Sequence, residues 1–184
     1  MQTNYFELFQ LPVSFYIDME QLERSYQKIM QQVHPDRLQN QELQQRLAAQ
    51  YATLTNDAYH NLKDPVRRAV YLLQLQDISI DMERCSVHDV DFLTQLMSWQ
   101  ETLEDIHQYP ENTENAARVT ALSHVRQDVK QHIRQQENRF NHFYTQLADQ
   151  KQPQSATEKT KAAIKAEVQD AVLRMRFLYQ ILQS

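Results

Sequence analysis

The chain contains no glycine in its 184 residues, although average usage near 7% would supply roughly a dozen. Glycine fills the positive-φ corners needed by phosphate-cradling loops, dinucleotide turns and the elbow that presents a nucleophilic serine. A chain without it cannot build a standard P-loop, Rossmann fingerprint or G-x-S-x-G site, so most common enzyme architectures are excluded at once. The 27 glutamines fit the alternative, helices with a polar, largely uncharged outer face.

Apolar periodicity agrees, for no strand-like alternation occurs anywhere and the period is helical throughout. Asn4 caps a short helix over 4–9, ended by Leu11-Pro12. Asp18 opens a second helix, and Gln21 three residues on completes a capping-box pattern. Its buried stripe is Leu22, Tyr26, Ile29, Met30 and Val33. A third helix from about Gln41 to Leu62 places Leu43, Leu47, Tyr51, Leu54, Ala58 and Leu62 on one face. The second and third helices have similar predicted lengths and a short link, which gives an antiparallel hairpin. Asp64-Pro65 starts a fourth helix, with proline at the first helical position.

Residues 76–86 read as a connector, and longer helices follow over about 87–107, 112–149 and 156–182. On the second of these, Val119, Leu122, Val125, Val129, Ile133, Phe140, Phe143 and Leu147 are expected inward. Three long amphipathic helices with short links make an antiparallel bundle.

Cysteine and charge narrow the function classes. The single Cys85 excludes an intramolecular disulfide framework and any all-cysteine metal or cluster site within one chain. It fits a reduced compartment. The start MQTNYFELFQ lacks a signal-peptide pattern, and no stretch approaches 18 apolar residues. A soluble, cytoplasmic protein with no membrane partner is the expectation. The net charge of −5 argues against a nucleic-acid binder. Residues 1–75 carry 7 basic and 8 acidic groups, 76–115 carry 1 and 10, and 116–184 carry 11 and 6. The acidic middle segment either pairs internally with the basic tail or faces a basic partner. No metal site is expected, since His124, His132 and His142 on one helix do not repeat at i, i+4 and no H-E-x-x-H occurs.

The motif that carries most weight is His34-Pro35-Asp36 between the paired helices. Pro35 stiffens the turn and pushes His34 toward an extended backbone. An imidazole and a carboxylate are then shown at fixed relative positions without the cost of ordering a loop on binding. That is a recognition device and not a catalytic one. Alone, the tripeptide reads equally well as an ordinary turn. Its frame is more specific: Asn4-Tyr5-Phe6-Glu7-Leu8-Phe9 before it, Tyr26 on the preceding helix, and Asn56 to Arg68 after it.

Together these stretches resemble a J-domain over residues 1–75. The resemblance implies that His34, Pro35 and Asp36 engage the ATPase of a DnaK-type chaperone, assisted by Arg24, Lys28 and Arg37. Those three cations are otherwise a solvated face, with Glu20 and Glu23 beside them.

The second half narrows the family. Tyr71-Leu72-Leu73, Phe92-Leu93, Glu101 to Ile106 and Met175-Arg176-Phe177-Leu178 are similar to the HscB family of J-type co-chaperones of iron–sulfur cluster biogenesis. The resemblance implies an all-α chain: a J-domain (an antiparallel hairpin plus two short helices, 1–75), the connector 76–86, and a three-helix C-terminal bundle over 87–184. It further implies two partners, an HscA-type (DnaK-like) chaperone and the iron–sulfur scaffold IscU, and no resident cofactor or enzymatic activity.

The bundle carries an independent hint. Phe92, Leu96, Trp99, Leu103 and Ile106 already form a sufficient core stripe on their helix. Leu93, Met97, Glu101 and Asp105 form a second strip at i, i+4, i+8 and i+12, which is either a wide core face or a binding site. By resemblance it contacts the scaffold, with an exposed aromatic of the last helix, Phe177. Thr94 and Ser98 depart from the family pattern, where a long apolar and an acidic residue occur, and bear on the footprint. The remaining alternatives are a J-domain protein with another client and a helical adaptor without J activity.

Overall fold

The computed structural model describes residues 4–33, 42–80, 86–108, 116–149 and 158–183. The chain divides into two compact units, Met1–Asp77 and Ile78–Ser184. Among the described residues every regular element is a helix: α1 Tyr5–Leu8, α2 Met19–Gln32, α3 Glu42–Lys63, α4 Pro65–Gln74, α5 Val90–Gln108, α6 Ala116–Asp149 and α7 Glu158–Gln183. The tripeptide His34-Pro35-Asp36, together with Arg37 and Cys85, lies outside the described residues.

In the first unit the starts follow their caps. Asn4 accepts from the Phe6 amide (3.0 Å), Asp18 from the Glu20 and Gln21 amides (2.9 and 3.0 Å), and Asp64 from the Arg67 amide (2.9 Å). The Gln21 side chain does not complete a capping box. Its amide donates to the Gln10 carbonyl at 2.9 Å and ties the preceding loop to α2, because a glutamine amide can donate where the box needs an acceptor.

The missing glycines have a visible consequence. Gln10 and Asp77 take φ of 56° and 58°, a conformation that costs a non-glycine residue about 1 kcal/mol. Gln10 closes α1 in a Schellman turn, with the Leu11 amide donating to Phe6 (2.8 Å) and its own amide to Glu7 (3.1 Å).

The core of this unit is Phe6, Phe9, Phe15, Leu22, Leu62, Leu72 and Leu73, all fully buried. Tyr71 of α4 fastens α1 to it: the Tyr5 amide donates to its hydroxyl at 2.9 Å and the two rings stack at 4.3 Å. Burial pushes the Tyr71 hydroxyl pKa up. Arg68 is buried, donates to the Leu62 carbonyl at the end of α3 and lies 5.1 Å from the Phe15 ring. One side chain thus ties the end of α3 to the loop before α2.

Helices α2 and α3 form the expected antiparallel pair, with Tyr26 donating to Asn56 (2.7 Å), Tyr59 donating to Glu23, and the Tyr26 and Tyr59 rings stacked at 4.2 Å. Their lengths differ, however: 14 residues against 22. The register set by Tyr26–Asn56 brings the end of α2 opposite the residues near Ala49, so the first two turns of α3 run past it. Leu43 and Leu47, expected inside, are therefore exposed at 71% and 57%; Tyr51, also expected inside, is 41% exposed although it lies within the length of α2.

In the second unit α6 packs most extensively on α7. Arg139 of α6 bonds Glu167 and Asp170 of α7, and Tyr179 donates to Glu137 at 2.6 Å, so the two helices run antiparallel. The carboxylates hold the Arg139 guanidinium above its ordinary pKa against the opposing effect of burial. Helix α5 runs antiparallel to α6, with the Trp99 ring edge-on to His132 at 5.0 Å and Arg118 donating to the Ile106 carbonyl.

The shared core is Phe92, Leu96, Trp99 and Leu103 of α5, Val125, Val129 and Ile133 of α6, and Leu173, Leu178 and Ile181 of α7. Val119, expected inward, is 71% exposed, since it is rotated roughly 80–120° around α6 from Val129 and Val125. The chain just after the first unit belongs here too: Ile78 is buried and the Ser79 carbonyl accepts from Gln169 at 3.3 Å.

Candidate partner-docking sites

The expected chaperone-facing cations are only partly described. Arg24 and Lys28 project from the side of α2 opposite the buried Leu22. Arg24 pairs with Glu20 one turn earlier at 3.4 Å, both side chains largely exposed, an arrangement contributing little to stability. On the α3 side of α2, Tyr59 organises a charged cluster. Its hydroxyl donates to Glu23 and accepts from Lys63 at 2.9 Å. That hydroxyl is the main reason Glu23 sits below the usual carboxylate range and Lys63 above its ordinary value. The cluster fixes α2 against α3 and thereby the direction in which the Arg24–Lys28 face looks.

The second site is built on α5. It begins at Asp89, two residues after the predicted start of that helix, whose first helical residue is Val90. The Asp89 carboxylate accepts from the Phe92 amide at 3.1 Å and so sets the first turn. Arg174 of α7 bonds Asp89 at 3.0 Å and Asp170 at 2.8 Å, with its guanidinium 4.8 Å from the Phe92 ring. The Phe92 amide first, and Arg174 second, hold the Asp89 carboxyl below its ordinary value. This clamp fixes the start of α5, and with it Leu93, relative to α7.

Beyond the clamp, α5 and α7 enclose a groove of about 700 Å³. Leu93, Met97, Gln100 and Glu104 line it from α5, Phe177, Gln180 and Ile181 from α7, and Leu96 and Leu103 form its floor. Leu93 is 38% exposed and Met97 61%. A mostly apolar trough with two amides and one carboxylate suits the apolar side chains of a docked protein, with Glu104 available to a cation at the rim.

Two sequence expectations are corrected here. Glu101 and Asp105 are exposed but do not line the groove. A strict four-residue step advances about 40° around a helix each time, so by Asp105 the strip has turned roughly 120° away from Leu93. The groove follows i, i+4, i+7 and i+11 instead, which brings in Gln100 and Glu104. Phe177, expected as an exposed aromatic, is half-buried: one side packs on the bundle core and the other lines the groove. Thr94 and Ser98 are exposed outside the groove, and Thr94 bonds back to the Val90 carbonyl at 2.8 Å. Among the described residues no group of three His, Cys, Asp or Glu is placed to hold a metal ion, and no helix is long and apolar enough to cross a membrane.

A two-unit, all-helical chain with an exposed apolar groove defines a protein-docking module. Comparison with known proteins agrees. The family model for the HSCB C-terminal oligomerisation domain matches residues 88–184. A co-chaperone protein HscB homolog from Shewanella oneidensis is 45% identical over 106 residues, covering 57% of this chain and 61% of that protein. One from Paraburkholderia xenovorans is 42% identical over the same length. The matched region thus spans about three-fifths of each relative's length.

The solved structure of chaperone HscB from Vibrio cholerae matches 98% of this chain and 94% of its own, with a TM-score of 0.72 and 27% identity. Human co-chaperone HscB shares the fold over 99% of this chain and 80% of its own, with a TM-score of 0.73 at 23% identity. The fold is a J-domain followed by a helical C-terminal domain. The chain belongs to the HscB family of co-chaperones.

Proposed function

We propose that this chain stimulates the ATPase of an HscA-type, DnaK-like chaperone and brings to it the iron–sulfur scaffold IscU. The observation that carries the reading is the α5–α7 groove, an apolar trough with Leu93, Met97 and Phe177 in its lining, in a member of a co-chaperone family. In this reading His34, Pro35 and Asp36 contact the chaperone ATPase, with Arg24, Lys28 and Arg37 supplying a weak electrostatic approach surface. Leu93, Met97 and Phe177 hold the scaffold. Glu101 and Asp105 act at the rim beside Glu104. The protein does no covalent chemistry: it raises the effective concentration of scaffold at the chaperone and times the ATP step. Any cluster is cargo of the scaffold. A cytoplasmic location, with no nucleic acid or membrane partner, goes with this role.

Calorimetric titration of the scaffold tests the client half of the proposal. Leu93→Ala, Met97→Ala and Phe177→Ala together are expected to abolish measurable binding while Arg24→Ala leaves it intact. Unchanged affinity in the triple variant would assign the bundle a different client.

A further inference from the structure

Internal pairing accounts for only part of the basic charge of the second unit. Arg139 and Arg174 bond the carboxylates of Asp89, Glu167 and Asp170, and Arg118 bonds the Ile106 carbonyl. Arg126, Lys130 and Arg134 of α6 differ from these. All three are exposed, and none has a hydrogen bond or ion pair among the described residues.

The three cations follow one another at four-residue steps, so each repels the next along the helix and weakens it. Asp128, the carboxylate inside this span, points roughly 160–200° away from Arg126 and Lys130. Glu137, one turn beyond Arg134, accepts from Tyr179 of α7 at 2.6 Å. Helix α6 thus keeps a self-repelling strip about 12 Å long, which an external anion would relieve. The strip also has an apolar end. Val119, 71% exposed, is in line with Arg126 and Lys130, and Leu122 beside it is partly buried. Together these residues line a depression of about 600 Å³ on α6, with Gln127 and Gln131 along one margin. It shares no lining residue with the α5–α7 groove, so the two surfaces are separate.

We infer that this face of α6 docks an acidic helical segment of a partner protein, carboxylates against Arg126, Lys130 and Arg134 and apolar side chains against Val119 and Leu122. Charge complementarity sets the sign of the partner, and the apolar end sets its class. Carboxylates at four-residue steps on a helix repeat the spacing of the cations, about 6 Å, and apolar residues one and two turns further on reach Leu122 and Val119. A nucleic-acid backbone offers no apolar group for that end, and the net charge of −5 repels a polyanion at long range. The segment is also unlike the occupant of the α5–α7 groove, where Glu104 favours a cation. The inference rests on the α6 face alone and does not depend on the co-chaperone reading. Exposed ion pairs are individually weak and screened by salt, so the contact is weak and salt-sensitive.

Fluorescence anisotropy of the full chain with a labelled helical peptide tests this. The probe carries glutamates at i, i+4 and i+8 and leucines one and two turns further on. Wild type should bind it at low ionic strength and release it as salt is added. Arg126→Glu, Lys130→Glu and Arg134→Glu together should weaken binding by roughly tenfold or more, and the reversed chain should bind a peptide with lysines in place of the glutamates. Val119→Ser should weaken binding of the original peptide several-fold. Absence of binding, equal binding of a scrambled peptide of the same composition, or indifference to charge reversal would each overturn the proposal. Tighter binding of a single-stranded oligonucleotide of equal charge would overturn it too, and would assign the strip to nucleic acid.

Discussion

Leu96 and Met97 are adjacent in sequence, yet α5 turns one into the core and the other into the groove: Leu96 is 6% exposed and Met97 61%. Truncating each to alanine should therefore move different observables. Leu96→Ala leaves a cavity between α5 and the Leu178–Ile181 side of α7, a class of change that costs about 2–5 kcal/mol. For Met97→Ala the folded state loses little, and stability should stay within about 0.5 kcal/mol of wild type.

Its cost should appear in binding. Fully burying a methionine side chain is worth about 1.5–3 kcal/mol, and roughly three-fifths of this one is open to a partner. Allowing for the methyl that alanine retains, the loss is about 0.4–1.3 kcal/mol, or roughly two- to ninefold in Kd. Chemical denaturation with paired scaffold titrations measures both quantities. If Met97→Ala unfolds as readily as Leu96→Ala, or binds scaffold as wild type does, the separation of core stripe from docking strip is wrong.

Two further outcomes follow from local structure. The Asp89 carboxyl is held below its ordinary value, so its contribution to stability is present above about pH 4 and is lost as pH falls through the depressed folded value. Asp89→Asn should flatten the acid limb of a pH–stability profile while lowering stability at neutral pH, and unchanged acid sensitivity would argue against the Arg174 clamp. Gln10→Gly relieves a left-handed residue at the end of α1 and should stabilise the first unit by up to about 1 kcal/mol, whereas Gln10→Val should destabilise it; thermal melts that rank them the other way would contradict the Schellman turn.

Much of this architecture is visible in local chemistry. The caps Asn4, Asp18 and Asp64 and the Pro65 start each act within four residues, and the structure uses all of them. The core stripe of α5 is equally plain from spacing. What eluded the sequence depends on relations between elements or on small angular drifts. Asp89 reads as one more loop residue until Arg174, 85 positions later, is seen to hold it. The exposure of Leu43 and Leu47 follows from α3 outrunning α2, a length mismatch that periodicity within α3 cannot reveal. Gln100 and Glu104 replace Glu101 and Asp105 in the groove because 3.6 residues per turn does not divide four. The capping role of Tyr71 at α1 joins positions 66 apart, and only the folded chain brings them together.

The central claim is that this protein switches on a chaperone ATPase through His34, Pro35 and Asp36. Steady-state ATP hydrolysis by an HscA-type chaperone in the presence of scaffold tests it most directly, comparing wild type with His34→Gln. The account predicts that wild type raises the rate several-fold and that His34→Gln does not, while both bind scaffold equally. Equal stimulation by the two proteins, or none by wild type, would contradict it.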